Sequence, residues 1–208
     1  MASPGPKGLL IAGTHSGCGK TTVTLGLLKV LSDKGYRVQS FKTGPDFIDP
    51  GLHSHILGRP SHNLDIWMMG EARVRELIRV HSRDVDIVLV EGAMGLFDGI
   101  RGDSEEASGA ELAKILGLDV LLVVDGSSMG RSVAALVKGF IEYDPGLTIV
   151  GLVLNRVGSE RHEGVLKAAL AAKEREGEWG LPVKPWLAGC LHRDHTASIS
   201  SRHLGLVT

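Results

Sequence analysis

The stretch GLLIAGTHSGCGKTT, residues 8–22, decides the architecture of this chain. Leu9, Leu10, Ile11 and Ala12 read as a short buried strand, and the segment from Thr21 to Lys34 reads as a helix. Gly13, Gly17 and Gly19 fall between them, followed by Lys20, Thr21 and Thr22. Glycines let a backbone wrap closely around phosphate oxygens with its N–H groups pointing inward, and the helix N-terminus adds partial positive charge. In a strand–loop–helix of this kind the lysine reaches the β- and γ-phosphates and the following threonine hydroxyl sits on Mg²⁺. The candidate nucleotide-binding set is therefore Gly13, Thr14, Ser16, Gly17, Cys18, Gly19, Lys20, Thr21 and Thr22. Five residues separate Gly13 from Gly19, one more than the common form of such loops.

Outward from this loop, strand-like and helix-like segments alternate. Apolar runs stand at Leu9–Ala12, Val38–Phe41, Ile87–Val90, Val120–Val124, Ile149–Leu154 and Trp186–Leu191. They are rich in β-branched residues and leucine with little polar alternation, which suits parallel strands covered on both faces. Helical spacing appears in Val23, Leu27, Leu28 and Leu31, in Val74, Leu77, Ile78 and His81, and in Val133, Leu136, Val137, Phe140 and Ile141. Gly35 is expected to end the first helix, and Asp144-Pro145-Gly146 the third. The rhythm predicts an α/β fold with a doubly wound, mostly parallel sheet.

In such sheets ligands sit beyond the carboxyl ends of the strands, so the loops there should carry the chemistry. The second run is followed by KTGPDFIDPG with Lys42, Asp46 and Asp49, the third by EGAMGLFDG with Glu91 and Asp98, and the fifth by Asn155-Arg156. Mg²⁺ takes oxygen ligands and bridges phosphates through one or two carboxylates, a pair that Glu91 and Asp46 can supply. The competing reading of Asp46, Asp49 and Asp98 is turn capping beside Pro and Gly.

Bulk properties fit a single compact unit. The 208 residues carry 23 basic and 24 acidic side chains, a net charge of −1, so no global field recruits nucleic acid or acidic membranes. Two cysteines, Cys18 and Cys190, make no disulfide framework; Cys18 reads as a small spacer in the loop and Cys190 as core. MASPGPKG has no signal-peptide pattern and no apolar run is long enough to span a membrane, so the expected compartment is the cytoplasm.

GTHSGCGKTT, KTGPDFIDPGLH, NLDIWMM, EGAMGLFDG and the final RHLGLVT together resemble the cobyrinic acid a,c-diamide synthase family, in order, from residue 8 to 208. That family includes hydrogenobyrinate and nickel-sirohydrochlorin a,c-diamide synthases, and it is similar to dethiobiotin synthetase within the P-loop NTPases. The resemblance implies ATP-dependent amidation of two acetate carboxylates on a corrin-type macrocycle, with ATP and Mg²⁺ as cofactors. It implies that Lys20 and Thr21 serve ATP and Mg²⁺, that Asp46 and Glu91 are metal-site acids, and that Asp49 and Asp98 lie near the reacting carboxylate. Lys42 would help to neutralise the transferring phosphoryl group. Asn155 resembles the residue whose amide reads adenine in the dethiobiotin synthetase relatives, although a strand-ending turn residue fits its position as well.

The family's ammonia comes from glutamine hydrolysed in a second domain, whose nucleophile is a cysteine on a strand-to-helix elbow. Cys190 has no such elbow, and 13 residues follow His195, too few for another α/β domain. The expected organisation is a synthetase domain over residues 1–195 and the start of a linker over 196–208. Expected partners are a tetrapyrrole-derived polycarboxylate, glutamine or ammonia through a glutaminase domain, and a second copy of the chain.

His53, His55 and His62 lack the cysteine partners and spacing of a zinc signature, while His62 or Arg59 is placed to meet an anionic substrate edge. The contrasting functions are a regulatory partition- or site-selection-type ATPase and, among enzymes, dethiobiotin synthetase or cobyric acid synthase, which amidates other corrin side chains. The regulatory ATPases carry a second lysine just upstream of the loop glycines, where His15 stands here.

Overall fold

The computed structural model describes residues 7–175 and 185–194. In chain order its elements are β1 (Lys7–Gly13), α1 (Lys20–Asp33), β2 (Val38–Thr43), α2 (Asp49–Leu57), β3 (His62–Leu64), α3 (Ile66–His81) and β4 (Ile87–Glu91). Then follow α4 (Gly109–Leu116), β5 (Asp119–Asp125), α5 (Ser132–Tyr143), β6 (Ile149–Val157), α6 (Glu160–Arg175) and β7 (Trp186–His192). The strands form one sheet in the order β3-β2-β4-β1-β5-β6-β7, and every neighbouring pair is parallel.

Successive strand residues point to opposite faces, and here both faces are covered. On one face Leu10, Val90, Leu122 and Val124 share a core with Val74 of α3, Leu112 of α4, Val133 and Val137 of α5, and Leu166 of α6. On the other, Ile11, Leu89, Leu121 and Val123 pack with Val23 and Leu28 of α1, backed by Ile56 and Leu57 of α2. The uninterrupted apolar runs of the central strands reflect this double burial. The order of the sheet brings β1 between β4 and β5, so the loop after β1 opens at the middle of the carboxyl edge.

All six expected strands are present. The structure adds β3, a three-residue edge strand whose His-Asn start gives no apolar run, together with helices α2, α4 and α6. Gly35 (φ 83°) follows the end of α1, and Asp144 closes α5 by accepting the Gly146 N–H at 2.8 Å. Helix α3 is interrupted at Gly70 (φ 75°, ψ 158°), so its first turn, Ile66–Met69, is set apart from the rest. Residues 196–208, the expected linker, lie outside the described residues. Among the described residues no helix is long and apolar enough to cross a membrane.

The interior strand β5, next to the central β1, should carry a large share of packing energy. Leu122→Ala, at a fully buried position, is expected to lower unfolding free energy by about 2–5 kcal/mol. Val165→Ala, on the half-exposed side of α6, should change it by no more than about 0.5 kcal/mol. Urea unfolding midpoints at unchanged slope measure both.

Candidate nucleotide and metal site

The phosphate loop spans the gap between β1 and α1, and its backbone explains its glycines. Gly17 (φ 78°) and Gly19 (φ 103°) take left-handed conformations that other residues resist. A Cβ at Gly13 would stand 2.3 Å from Cys18 Sγ, and one at Gly19 would stand 1.9 Å from Asn155 Nδ2. Cys18 is fully buried and packs under the loop, which is the spacer role expected of it. The loop is tied to the sheet by Thr14 N–H to the Val123 carbonyl (3.1 Å) and by Leu96 N–H to the Gly13 carbonyl (2.8 Å).

Two residues at the end of β6 brace the loop from behind. Asn155 Nδ2 donates to the Cys18 carbonyl at 2.9 Å. Arg156, in a left-handed conformation (φ 57°), donates to the Gly17 carbonyl at 2.7 Å and to Asp125 Oδ2 at 2.5 Å. Lys20 Nζ donates to the carbonyls of Met94 and of His15, the latter at 3.2 Å. Burial, reinforced by Lys42, holds the Lys20 ammonium below the ordinary lysine range.

Facing the loop is a cluster centred on Glu91, the last residue of β4, which has no exposed surface. Its Oε1 accepts from Thr21 Oγ1 at 2.6 Å and from Lys42 Nζ at 3.1 Å. Its Oε2 meets His53 Nε2 at 2.8 Å. Lys42 and Glu91 are register partners on neighbouring parallel strands, which places them side by side. Lys42 Nζ also donates to the Gly92 carbonyl at 3.0 Å and pairs with Asp49 Oδ2 at 3.2 Å, while Thr21 Oγ1 lies 3.4 Å from the same Asp49 oxygen. Burial works against the Lys42 charge, but Glu91 and Asp49 outweigh it and raise the ammonium above the ordinary lysine range.

The expected carboxylates divide into two groups. The sequence pairs Asp46 with Glu91 as metal acids; in the structure Asp49 also stands beside Thr21, at 3.4 Å from the hydroxyl that donates to Glu91. Asp46 Oδ1 accepts the Ile48 and Asp49 N–H groups at 2.8 and 2.9 Å and so starts α2, although Asp46 still lines the cleft. The reason is helix phase: Asp49 opens α2 and points back at β2, whereas Asp46 stands in the loop before it. Asp98 Oδ2 accepts the Gly95 N–H at 2.8 Å, which is the capping role, and it is not among the residues lining the cleft. The cleft encloses about 530 Å³ between Ser16–Thr22, the Lys42–Asp49 arm, Glu91, Met94 and Arg156.

Two contributors are named from the sequence without a role at this site. His53 joins Asp49 on one face of α2, and the Asp-Pro-x-x-His spacing, with a proline in a first helical turn, is the signal that reveals it. Arg156 is the other. His62 and Arg59 do not reach the cleft. The His62 ring stacks on that of His81, centroids 3.8 Å apart, and Arg59 is 3.5 Å from the His81 carbonyl. Burial, His81 and Arg59 push the His62 imidazole below its ordinary range.

The donor set suits the expected ligands. A hydroxyl and two carboxylates, all oxygen, match a hard cation such as Mg²⁺. The glycine-rich loop running into the N-terminus of α1 suits phosphate, and the cleft volume is that of a small-molecule site.

Comparison with known proteins agrees with this geometry. A family model described as the CobQ/CobB/MinD/ParA nucleotide binding domain matches residues 9–203. The chain is 49% identical to a cobyrinate a,c-diamide synthase of Syntrophotalea carbinolica over 96% of its own length and 42% of the relative's. It is 47% identical to a hydrogenobyrinate a,c-diamide synthase of Streptomyces coelicolor over 96% of its own length and 39% of the relative's. The chain thus spans well under half the length of these curated relatives. Among solved structures, the signal recognition particle receptor FtsY of Elizabethkingia anophelis aligns with TM-score 0.59 at 18% identity, covering 89% of this chain and 58% of that one. The hydrogenase maturation factor HypB of Archaeoglobus fulgidus aligns with TM-score 0.52 at 16% identity, covering 88% and 81%. These structures share the fold alone. With a matching family model over nearly its whole length, the chain belongs to the CobQ/CobB/MinD/ParA nucleotide binding domain family.

Proposed function

We propose that this chain is the ATP-dependent synthetase part of an a,c-diamide synthase, which converts two acetate carboxylates of a corrin-type macrocycle into amides. The observation that carries the reading is the convergence of Lys20, Thr21, Lys42, Asp49 and Glu91 on one cleft at the carboxyl edge of the sheet. The similarity to curated a,c-diamide synthases supports it, as does His15 where regulatory ATPases carry lysine.

A carboxylate is a poor electrophile because its oxygen is a poor leaving group. In this reading a carboxylate oxygen attacks the γ-phosphorus of ATP, ADP leaves, and an acyl phosphate forms. Ammonia then attacks the carbonyl carbon and phosphate departs with one original carboxylate oxygen. Such transfers need in-line positioning and charge neutralisation more than covalent help. Lys20 and Lys42 supply positive charge beside the transferring group. Thr21, Glu91 and Asp49 would hold Mg²⁺, which supplies further neutralisation and orients the phosphates. Asp46, with one oxygen committed to α2, offers the other to the cleft as a base for ammonium. Asp98 shapes the loop that carries Met94. Asn155 keeps its carbonyl oxygen and a second amide hydrogen for the adenine edge.

A flat macrocycle with acidic edges also needs an apolar seat. Phe47 (95% exposed) stands on the loop that leaves β2, Trp67 (65%) and Met68 (64%) stand in the first turn of α3 just after β3, and Met94 beside the cleft is half-exposed. The Asp46 carbonyl accepts from Asn63 Nδ2 at 2.7 Å, which ties the Phe47 loop to β3. Large apolar side chains left in water at a cleft rim mark a binding surface. Ammonia would reach the cleft from a glutaminase domain, in the cytoplasm, and a homodimer is compatible with this assembly.

With ¹⁸O in the macrocycle carboxylates and ammonium as nitrogen source, inorganic phosphate should gain one label per amide formed; label found in AMP instead would rule out the acyl phosphate. Asp49→Asn and Glu91→Gln should each raise the half-saturating Mg²⁺ concentration at least about tenfold. Asp46→Asn should raise it by less than about threefold, and Mg²⁺ titration of ATP turnover separates the three. Phe47→Ala and Trp67→Ala are expected to raise KM for the macrocycle about tenfold, equivalent to about 1.4 kcal/mol, while KM for ATP stays within about twofold. Steady-state kinetics in both substrates measures this.

A further inference from the structure

Helix α2 carries two side chains into the Glu91 cluster, and only one of them has a role so far. Asp49 and His53 are four residues apart, one helical turn, and so share a face. The His53 ring is fully buried. Its Nε2 lies 2.8 Å from Glu91 Oε2, and a carboxylate that already accepts from Thr21 and Lys42 on its other oxygen can only accept, so Nε2 carries the proton. On the far side of the ring Nδ1 lies 3.3 Å from Ser61 Oγ, whose hydroxyl donates to the Ser40 carbonyl at 3.1 Å. The imidazole is thereby held at Nε2 by Glu91 of β4, with Ser61 against its Nδ1 edge. No other hydrogen-bond donor is found on Glu91 Oε2 among the described residues.

We infer that His53 is a positioning residue for the metal site, holding Glu91 Oε2 so that Oε1 is presented to the cation beside Thr21. The inference rests on the proposed Mg²⁺ site. Without the His53 hydrogen bond the Glu91 carboxylate is held through Oε1 alone, and the plane that aims its lone pairs at the cleft is less tightly set. Partners that orient a metal ligand in this way typically contribute 10–100-fold to metal affinity. Because α2 also delivers Asp49, a single rigid helix sets the spacing of both acids. His53 itself is not among the residues lining the cleft, so metal-free nucleotide affinity is expected to be independent of the ring.

The test compares His53→Asn with His53→Gln in the 208-residue chain. A glutamine amide nitrogen reaches the position of Nε2, whereas that of asparagine stops near Nδ1. Mn²⁺ binding is read by electron paramagnetic resonance in the presence of a non-hydrolysable ATP analogue, and analogue binding is read separately in EDTA. The expected result is a 10–100-fold loss of Mn²⁺ affinity in His53→Asn, recovery to within about threefold in His53→Gln, and metal-free analogue affinity within about twofold in both. Wild-type Mn²⁺ affinity in His53→Asn overturns the inference, and so does an equal loss in the Asn and Gln variants or a parallel loss in EDTA. Should His53→Asn not fold, His53→Leu, which has no donor, carries the same comparison. Absence of Mn²⁺ binding to the wild-type chain with the analogue would overturn the metal site itself, and with it this inference.

Discussion

Glu91 is a carboxylate from which the protein has removed water, and a charge in that position persists only when donors replace the lost hydration. The donors come from three separate pieces of chain: Thr21 at the start of α1, Lys42 at the end of β2 and His53 in α2. Each piece is fixed for reasons of its own. The first is set by the glycine loop, the second by parallel pairing with β4, and the third by a helix started by Asp46. A buried ion pair is weak support for stability, since well-packed apolar side chains often do as well. Its presence here, at the carboxyl edge and beside a phosphate loop, is better understood as the framework of a site. Every other feature of the cleft is arranged around this group.

The fold was largely legible because its central strands announce themselves. Leu10, Ile11, Val120–Val124 and Ile149–Leu154 are buried on both sides, so their apolar character is continuous. The phosphate loop was equally legible, since glycine is demanded there by positive φ and by close approach to Cys18 and Asn155. Legibility fails where the signal is short or polar. β3 is three residues beginning with His and Asn, and α2 is a nine-residue helix containing Pro50 and Gly51, neither of which sustains a period. The same weak signal bears on the site. Asp46 and Asp49 look alike in sequence, and only the starting residue of α2 tells which of them caps the helix and which faces Thr21. His53 was hidden for the same reason, being one histidine in a tract of three until helical phase separates it from His55.

The two faces of the sheet divide the labour. Helices α3 to α6 cover one face with the larger core, while α1 and α2 cover the other and bring polar groups to the carboxyl edge. The loop between β1 and α1 is then gripped from β6 through Asn155 and Arg156, and from the β4 loop through the Leu96 N–H and the Met94 carbonyl. The phosphate cradle is therefore suspended between the two halves of the sheet.

The parallel pairing of Lys42 with Glu91 sets a limit on how this chemistry can be moved between proteins. Side chains on a strand alternate sides, so sliding β2 by one residue along β4 would turn Lys42 away from Glu91 and put Phe41 or Thr43 in its place. A loop of the sequence GTHSGCGKTT transplanted into another parallel sheet would bring its own glycines and lysine, yet it would arrive without the neighbour whose alignment makes the carboxylate usable. What has to be inherited together is an alignment of two strands and the helix that follows the second strand of the chain. That alignment is written across residues 38–57 and 87–91, far apart in the chain and adjacent only once the sheet has formed.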